Sequence, residues 1–160
     1  MTNRKNLKNG LIDACKDLGI IPIAHTPLDN GLATGLYTAN NPSGGKVGGA
    51  RYEFKLLDKL MPLHEAQEKV AKKVQSRLER DFDNQREQML RRFQSKEDDE
   101  FNKEITTLQV AVNYVVAKGA VPIPGIKNNK QANELLGCIG WGLTDEEVAI
   151  LDEAAENSGR

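Results

Sequence analysis

At 160 residues and 17.7 kDa the chain has the size of one domain, on a rough norm of about 100–200 residues each. Apolar residues make up 39% and 14 glycines add to them, which approaches the usual globular share of about 45–50% and excludes wholesale disorder. Lys and Arg number 22 against 23 Asp and Glu. No basic excess drives counterion release, so a general nucleic-acid binder is excluded, though a local basic pocket is not.

The first ten residues carry positive charge with no apolar stretch behind them, unlike a secretory signal. No run approaches the roughly 20 apolar residues of a membrane span. Leu11, Ile12, Cys15 and Leu18 then recur at helical spacing, and Gly19 stands where a helix-ending glycine belongs. Ile20 to Ala24 is apolar on both parities, as in a strand buried on both faces. Pro22 within it fits only at an edge or irregularity. Residues 25–50 read as loop, and the glycine-rich stretch from Ser43 to Gly49 lacks the spacing of a phosphate-binding P-loop.

Residues 64–104 contain neither Gly nor Pro. They predict one long, solvated helix or two consecutive ones. Val70, Val74, Leu78, Phe82, Met89 and Phe93 form one narrow apolar stripe along it. Glu65–Lys69 and Glu68–Lys72 add favourable pairs at four-residue spacing. Lys72, Lys73, Arg77, Arg80, Arg91 and Arg92 alternate with acids, which argues against a nucleic-acid face. Beyond it, Leu108, Ala111, Val112 and Val115 mark a helix stopped by Gly119. Ala120 to Pro124 reads as a second buried strand, and a short helix near 129–137 follows. Thr144 and Glu147 form a capping box that opens a last helix through Val148, Leu151 and Ala155.

Strands alternating with helices point to an α/β chain with parallel pairing. A two-stranded pair buries little and leaves two open edges, so the pattern reads as a piece of a larger sheet or barrel. Ligands of α/β proteins gather at the C-terminal ends of strands. His25 to Leu28 and Gly125 to Asn128 occupy those places. The second segment leads into a helix whose first-turn N–H groups favour an anion, with Lys127 as a point charge beside them. Cys15 and Cys138 have no metal-ligand spacing and are expected to be reduced, buried thiols. His25 and His64 cannot by themselves build a metal site.

Several of these segments resemble the aldo/keto reductase family. Ala24-His25-Thr26-Pro27-Leu28 with Gly31-Leu32-Ala33-Thr34-Gly35 is similar to that family's AYSPL and GLLTGKY segments. Gln109 to Tyr114 resembles its QVALNW. Val121 to Asn128 followed by Gln131, Glu134 and Gly137 resembles its IPGAKN cofactor segment, and Gly140 to Thr144 resembles its GWRLT. The resemblance runs in family order from about Arg4 to about Ala155. It implies the C-terminal portion of a TIM (β/α)8 barrel: two parallel strands with flanking helices, from the sixth helix onward, plus an extra long charged helical insertion. A whole barrel takes about 250 residues. On this reading residues 1–160 are a partial barrel, with the insertion at about 77–104.

The implied function is that of an NADP-dependent oxidoreductase reducing carbonyls. Thr26, Pro27 and Leu28 would lie along the pyrophosphate. Gly125, Lys127 and Asn128 would lie near the 2′-phosphate end, and Gln131 and Glu134 toward the adenosine. The family's catalytic Asp, Tyr, Lys and His come from the first four strands, so no catalytic residue is assigned, and neither His25 nor His64 stands for that His. Three departures predict weakened NADP binding: His25 at the position that stacks on nicotinamide, Leu36 for a Lys, and Leu135 for an Asn.

The surplus of roughly thirty residues before Gln109 reads either as a tolerated surface insertion or as an arm that grips another protein. The chain is therefore expected to be silent alone, with the missing N-terminal barrel half or a self-association partner completing it; the alternative is a non-catalytic binding or regulatory module. No nucleic acid and no membrane is expected. The expected compartment is the cytoplasm, or a plastid if a longer precursor exists.

Overall fold

The computed structural model describes residues 4–44, 52–81 and 104–158. Two short helices open the chain, α1 (Lys5–Lys8) and α2 (Leu11–Asp17), followed by strand β1 (Ile23–His25) and a 3-10 helix at Asp29–Thr34. Helix α3 (Phe54–Asp81) and helix α4 (Thr107–Ala117) lead to strand β2 (Val121–Ile123). Helices α5 (Asn129–Leu136) and α6 (Asp145–Asn157) close it. The result is a mostly helical α/β chain. β1 and β2 pair in parallel, with Ile23 opposite Val121 and His25 opposite Ile123.

Both strands are entered in the same way. Helix α2 ends in a Schellman motif at Gly19 (φ 67°): Ile20 N–H donates to the Cys15 carbonyl at 2.8 Å, and Gly19 N–H to that of Lys16. Helix α4 repeats it at Gly119 (φ 85°), with Ala120 N–H on Val115 and Gly119 N–H on Val116. The left-handed turn suits glycine and satisfies the orphan carbonyls of the last helical turn. Helices α4 and α6 begin on capping boxes, Thr106 with Gln109 and Thr144 with Glu147. The second was legible in the sequence; the first is its equivalent.

The strands depart from expectation. β1 is shorter than Ile20 to Ala24, and it is not buried on both faces: Ile21 and Ile23 are 72% and 68% exposed. Val121 and Ile123 of β2 are about half exposed as well. The physical reason is the open edge. Among the described residues each strand has one neighbour, so apolar side chains have no second strand or layer to pack on. Pro22 fits this edge, because it contributes only its carbonyl, which accepts from Val121 N–H at 2.9 Å.

The core lies among the helices. Leu57, Leu60, Leu63, Val70, Val74 and Leu78 of α3 pack with Val110, Ala111 and Tyr114 of α4 and Leu151 of α6. Helix α3 begins ten residues before the expected start and contains Pro62 in its third turn. Val70, Val74 and Leu78 are buried in the chain's own core, so this half of the apolar stripe is not free to grip a partner. Phe82, Met89 and Phe93, and most of the expected insertion, lie outside the described residues.

The 25–50 region is not simply loop. Leu32, Ala33, Thr34 and Tyr37 are buried, and a buried turn must satisfy its backbone polar groups. Three side chains take three consecutive carbonyls. His64 Nε2 donates to Leu32 O at 2.8 Å, Gln67 Nε2 to Ala33 O at 2.8 Å, and Thr107 Oγ1 to Thr34 O at 2.6 Å. A carbonyl only accepts, so the His64 tautomer carries its proton on Nε2. Gln67 also reaches the Thr107 carbonyl at 3.2 Å, tying α3 to the start of α4. Gly31 and Gly35 belong to the same clamp. Both have positive φ, and a Cβ would meet the Tyr37 ring at 2.7 Å or Thr107 Oγ1 at 2.9 Å.

The ends of the chain are joined by a charged cluster. Asp152 on α6 receives Tyr114 OH at 2.5 Å and Lys118 Nζ at 2.6 Å, and pairs with Arg4 Nη2 at 3.0 Å. Burial pushes the Asp152 carboxyl up, but the bonds from Lys118 and Tyr114 and the charges of Lys118 and Arg4 outweigh it, so it ends below its usual range. Burial first, and then the bond to Asp152, hold the Tyr114 phenol well above its usual value. A carboxylate held low in the folded state stabilises the fold above its unfolded pKa of about 3.9. That contribution is lost as pH falls through the lowered folded value. Asp152→Asn is expected to lower stability at neutral pH and to flatten its fall below about pH 4, as read by urea denaturation across pH. In the clamp, Gln67→Leu removes the Gln67 donor from the buried Ala33 carbonyl, and a loss of about 1–3 kcal/mol is expected in the same assay.

Candidate functional site

The parallel register sets the C-terminal ends of β1 and β2 side by side. The turns from Thr26 to Leu28 and from Pro124 to Asn128 therefore leave the sheet together. All eight residues expected around a cofactor fall on these two turns or on the α5 helix that follows the second.

The first turn is held by the core on one side. Pro27 is buried and Leu28 packs partly against the core. Thr26 is exposed, and its φ of 53° is left-handed. That conformation is unusual for a β-branched residue and costs about 1–2 kcal/mol. Asp29 and Asn30 are also left-handed, at 47° and 55°. Thr26 Oγ1 lies 2.7 Å from His25 Nδ1 on the neighbouring residue. The chain is thus bent sharply at the strand end, and the Thr26 hydroxyl and His25 ring are presented to solvent as a pair. Replacing Thr26 by Gly removes the steric penalty, and a gain of about 1 kcal/mol in stability is expected by thermal denaturation. No gain would mean that the hydroxyl contact with His25 offsets it.

The second turn is held by its own side chains. Asn128 caps α5, its Oδ1 accepting from Gln131 N–H at 3.0 Å. Gln131 Oε1 reaches back to accept from Lys127 N–H at 2.8 Å. Asn128 and Gln131 thus order the turn. Lys127 is exposed and makes no side-chain ion pair among the described residues. Gly125 is the informative position. Its φ is not left-handed, and a Cβ there would meet nothing within 4 Å. Among the described residues, neither a positive φ nor a close neighbour calls for glycine here, and the backbone at Gly125 is open.

Glu134 is half-buried, and its carbonyl accepts from Gln109 Nε2 at 2.8 Å. This belongs to a second set of carbonyl contacts at the end of α5. Asn113 Nδ2 donates to Cys138 O at 3.1 Å, and Trp141 Nε1 to Gly137 O at 2.7 Å. A Cβ on Gly137 would lie 2.1 Å from Gln109 Nε2. Gln109 and Asn113 are therefore structural: they seat the end of α5. Cys138 is half-buried, and burial followed by the charge of Glu134 pushes its thiol up to about 12. Both cysteines are free, though neither is fully buried. Among the described residues no group of His, Cys, Asp and Glu could hold a metal ion, and no helix is long and apolar enough to cross a membrane.

Comparison with known proteins adds the family. The aldo/keto reductase family model matches residues 1–156. The chain belongs to the aldo/keto reductase family. It is 32% identical over 145 residues to the chloroplastic pyridoxal reductase of Arabidopsis thaliana, an alignment that covers 90% of this chain. The chain spans 31% of that relative's length. No solved structure matches it significantly.

Proposed function

We propose that this aldo/keto reductase chain supplies the last two strands of a (β/α)8 barrel, with half of its NADP(H) site, for the reduction of an aldehyde or ketone. One observation carries the reading: the parallel pair β1–β2 brings Thr26 and Gly125 out at the same sheet end, where the resemblance to the family expects the cofactor phosphates. The residues present fit such a group. Gly125 leaves its backbone open, Lys127 offers an exposed cation beside the α5 N-terminus, and the Asn128–Gln131 bonds hold that turn ready before any ligand arrives. NADPH, when bound, supplies the hydride. Thr26 would hydrogen-bond phosphate oxygens, and Gln131 and Glu134 would lie toward the adenosine.

The proton donor that a carbonyl reduction requires is expected on strands other than β1 and β2. The chain by itself is therefore proposed to be silent, and its activity to depend on the remaining barrel strands, supplied in the same polypeptide or by a second one. The exposed Ile21, Ile23, Val121 and Ile123 are the surface those strands would cover. A second copy is the competing occupant. The burial of Val70, Val74 and Leu78 speaks against a binding module that works through α3. The relative's printed name makes pyridoxal the first aldehyde to try, and its chloroplastic designation favours a plastid over the cytoplasm.

The purified chain is expected to show no aldehyde-dependent NADPH oxidation with pyridoxal or a simple aldehyde. Co-expression with the first six strands of the Arabidopsis relative is expected to restore it. Turnover by the chain alone would overturn the reading. In the restored enzyme, Lys127→Ala is expected to raise the KM for NADPH several-fold with little change in kcat, since a surface cation paired with phosphate contributes about 1 kcal/mol.

A further inference from the structure

By composition the acids and bases of α3 alternate, but the helix sorts them. Lys69, Lys72, Lys73, Arg77 and Arg80 fall at spacings of three, one, four and three, which places them on one helical face. Glu65 lies one turn before Lys69 on the same side, and Glu68 and Glu79 fall beside that face; among the described residues neither Glu65 nor Glu68 forms an ion pair with it, and Gln75 Nε2 donates to Glu79 at 2.8 Å. The basic face lines a groove of about 550 Å³ between α3 and the start of α6. Its opposite wall is Thr144, Glu146 and Glu147.

Five cations therefore meet two carboxylates, and each carboxylate already has a partner. Lys73 Nζ lies 2.7 Å from Glu146, and Arg77 Nη2 lies 3.1 Å from Glu147 and 2.8 Å from the Gly142 carbonyl. The bond to Lys73, its charge and the charge of Lys69 hold the Glu146 carboxyl below its usual range, as a positive surround requires. Among the described residues Lys69, Lys72 and Arg80 form no ion pair; Arg80 Nε donates only to the Ser76 carbonyl at 3.0 Å. The buried Nε of Arg77 also has no partner. The start of α6 is not what makes the site, because Thr144 and Glu147 already cap it. The unneutralised cations do.

We propose that this groove is a second anion site, separate from the strand ends, which binds a small molecule carrying two or more phosphate groups. Single ions are too small for it: from Lys69 to Arg80 the basic face runs about 16 Å along the helix. Long polyanions are disfavoured, since the chain carries a net charge of -1 and offers no basic excess beyond the groove. Ammonium and guanidinium groups together bind phosphate as point charges and as planar donors, and the Ser76 hydroxyl lines the same wall. This proposal does not rest on the cofactor reading.

The probe is sodium pyrophosphate, titrated into the full chain by calorimetry against sodium sulfate at matched ionic strength. Saturable binding is expected for pyrophosphate, weakening as salt is raised. The charge reversal Lys72→Glu with Arg80→Glu is expected to raise the Kd at least tenfold, and Lys127→Ala to leave it unchanged. Should the reversal impair folding, the neutral pair Lys69→Gln and Lys72→Gln reads the same loss without like-charge contacts. Binding that survives these changes, that is lost with Lys127→Ala, or that sulfate reproduces would overturn the proposal. The second of these outcomes would move the anion to the strand-end site and leave the cofactor reading standing.

Discussion

Three consecutive backbone carbonyls, those of Leu32, Ala33 and Thr34, are the constraint on which this structure turns. The chain leaving β1 crosses the core instead of running over the surface, so these groups lose water. A 3-10 turn cannot satisfy all of them from within. His64 and Gln67, one helical turn apart on α3, and Thr107 at the start of α4 supply the missing donors. The arrangement leaves Gln67 Oε1 buried without a partner, a cost accepted because its amide nitrogen serves two carbonyls. The clamp binds both long helices to one turn, and through that turn it fixes where the strand end points.

The two halves of the candidate site are held in place in different ways. The Thr26 turn is bent into left-handed conformations that the chain would not choose alone; buried Pro27 and the clamped residues behind it impose them. The turn before α5 is ordered locally by the Asn128 cap and by Gln131 reaching back to Lys127. Beneath it, Gln109, Asn113 and Trp141 hold carbonyls at the end of α5 as the first clamp holds those after β1. Each strand is thus followed by a segment whose backbone carbonyls are held by side chains from elsewhere in the chain, and binding groups placed on seated turns need less ordering when a ligand arrives.

The same economy explains what is left open. Helices bury the chain's apolar side chains well, while the sheet is covered poorly. The Asp152 cluster draws Arg4, next to α1, to α6 and closes the helical layer, but no element returns to the free edges of β1 and β2 among the described residues. Exposed Ile21, Ile23, Val121 and Ile123 are unusual for a finished domain and ordinary for two strands of a larger barrel.

Much of this was legible in the residues themselves. Gly19 and Gly119 announced both helix stops because a left-handed C′ residue favours glycine, and Thr144 with Glu147 announced α6, because these are short-range effects that any chain would obey. The parallel pairing followed from the helical connection between strands, and the family from its ordered motifs. The sequence could not reveal that Gly31 and Gly35 answer to Tyr37 and Thr107, or that the Gln109 amide dictates Gly137. Nor could it show that the cationic face of α3 meets the start of α6 in a groove, or that the strands lie uncovered. Each of these depends on which distant surfaces meet, and local propensity carries no information about a partner tens of residues away; only packing decides it.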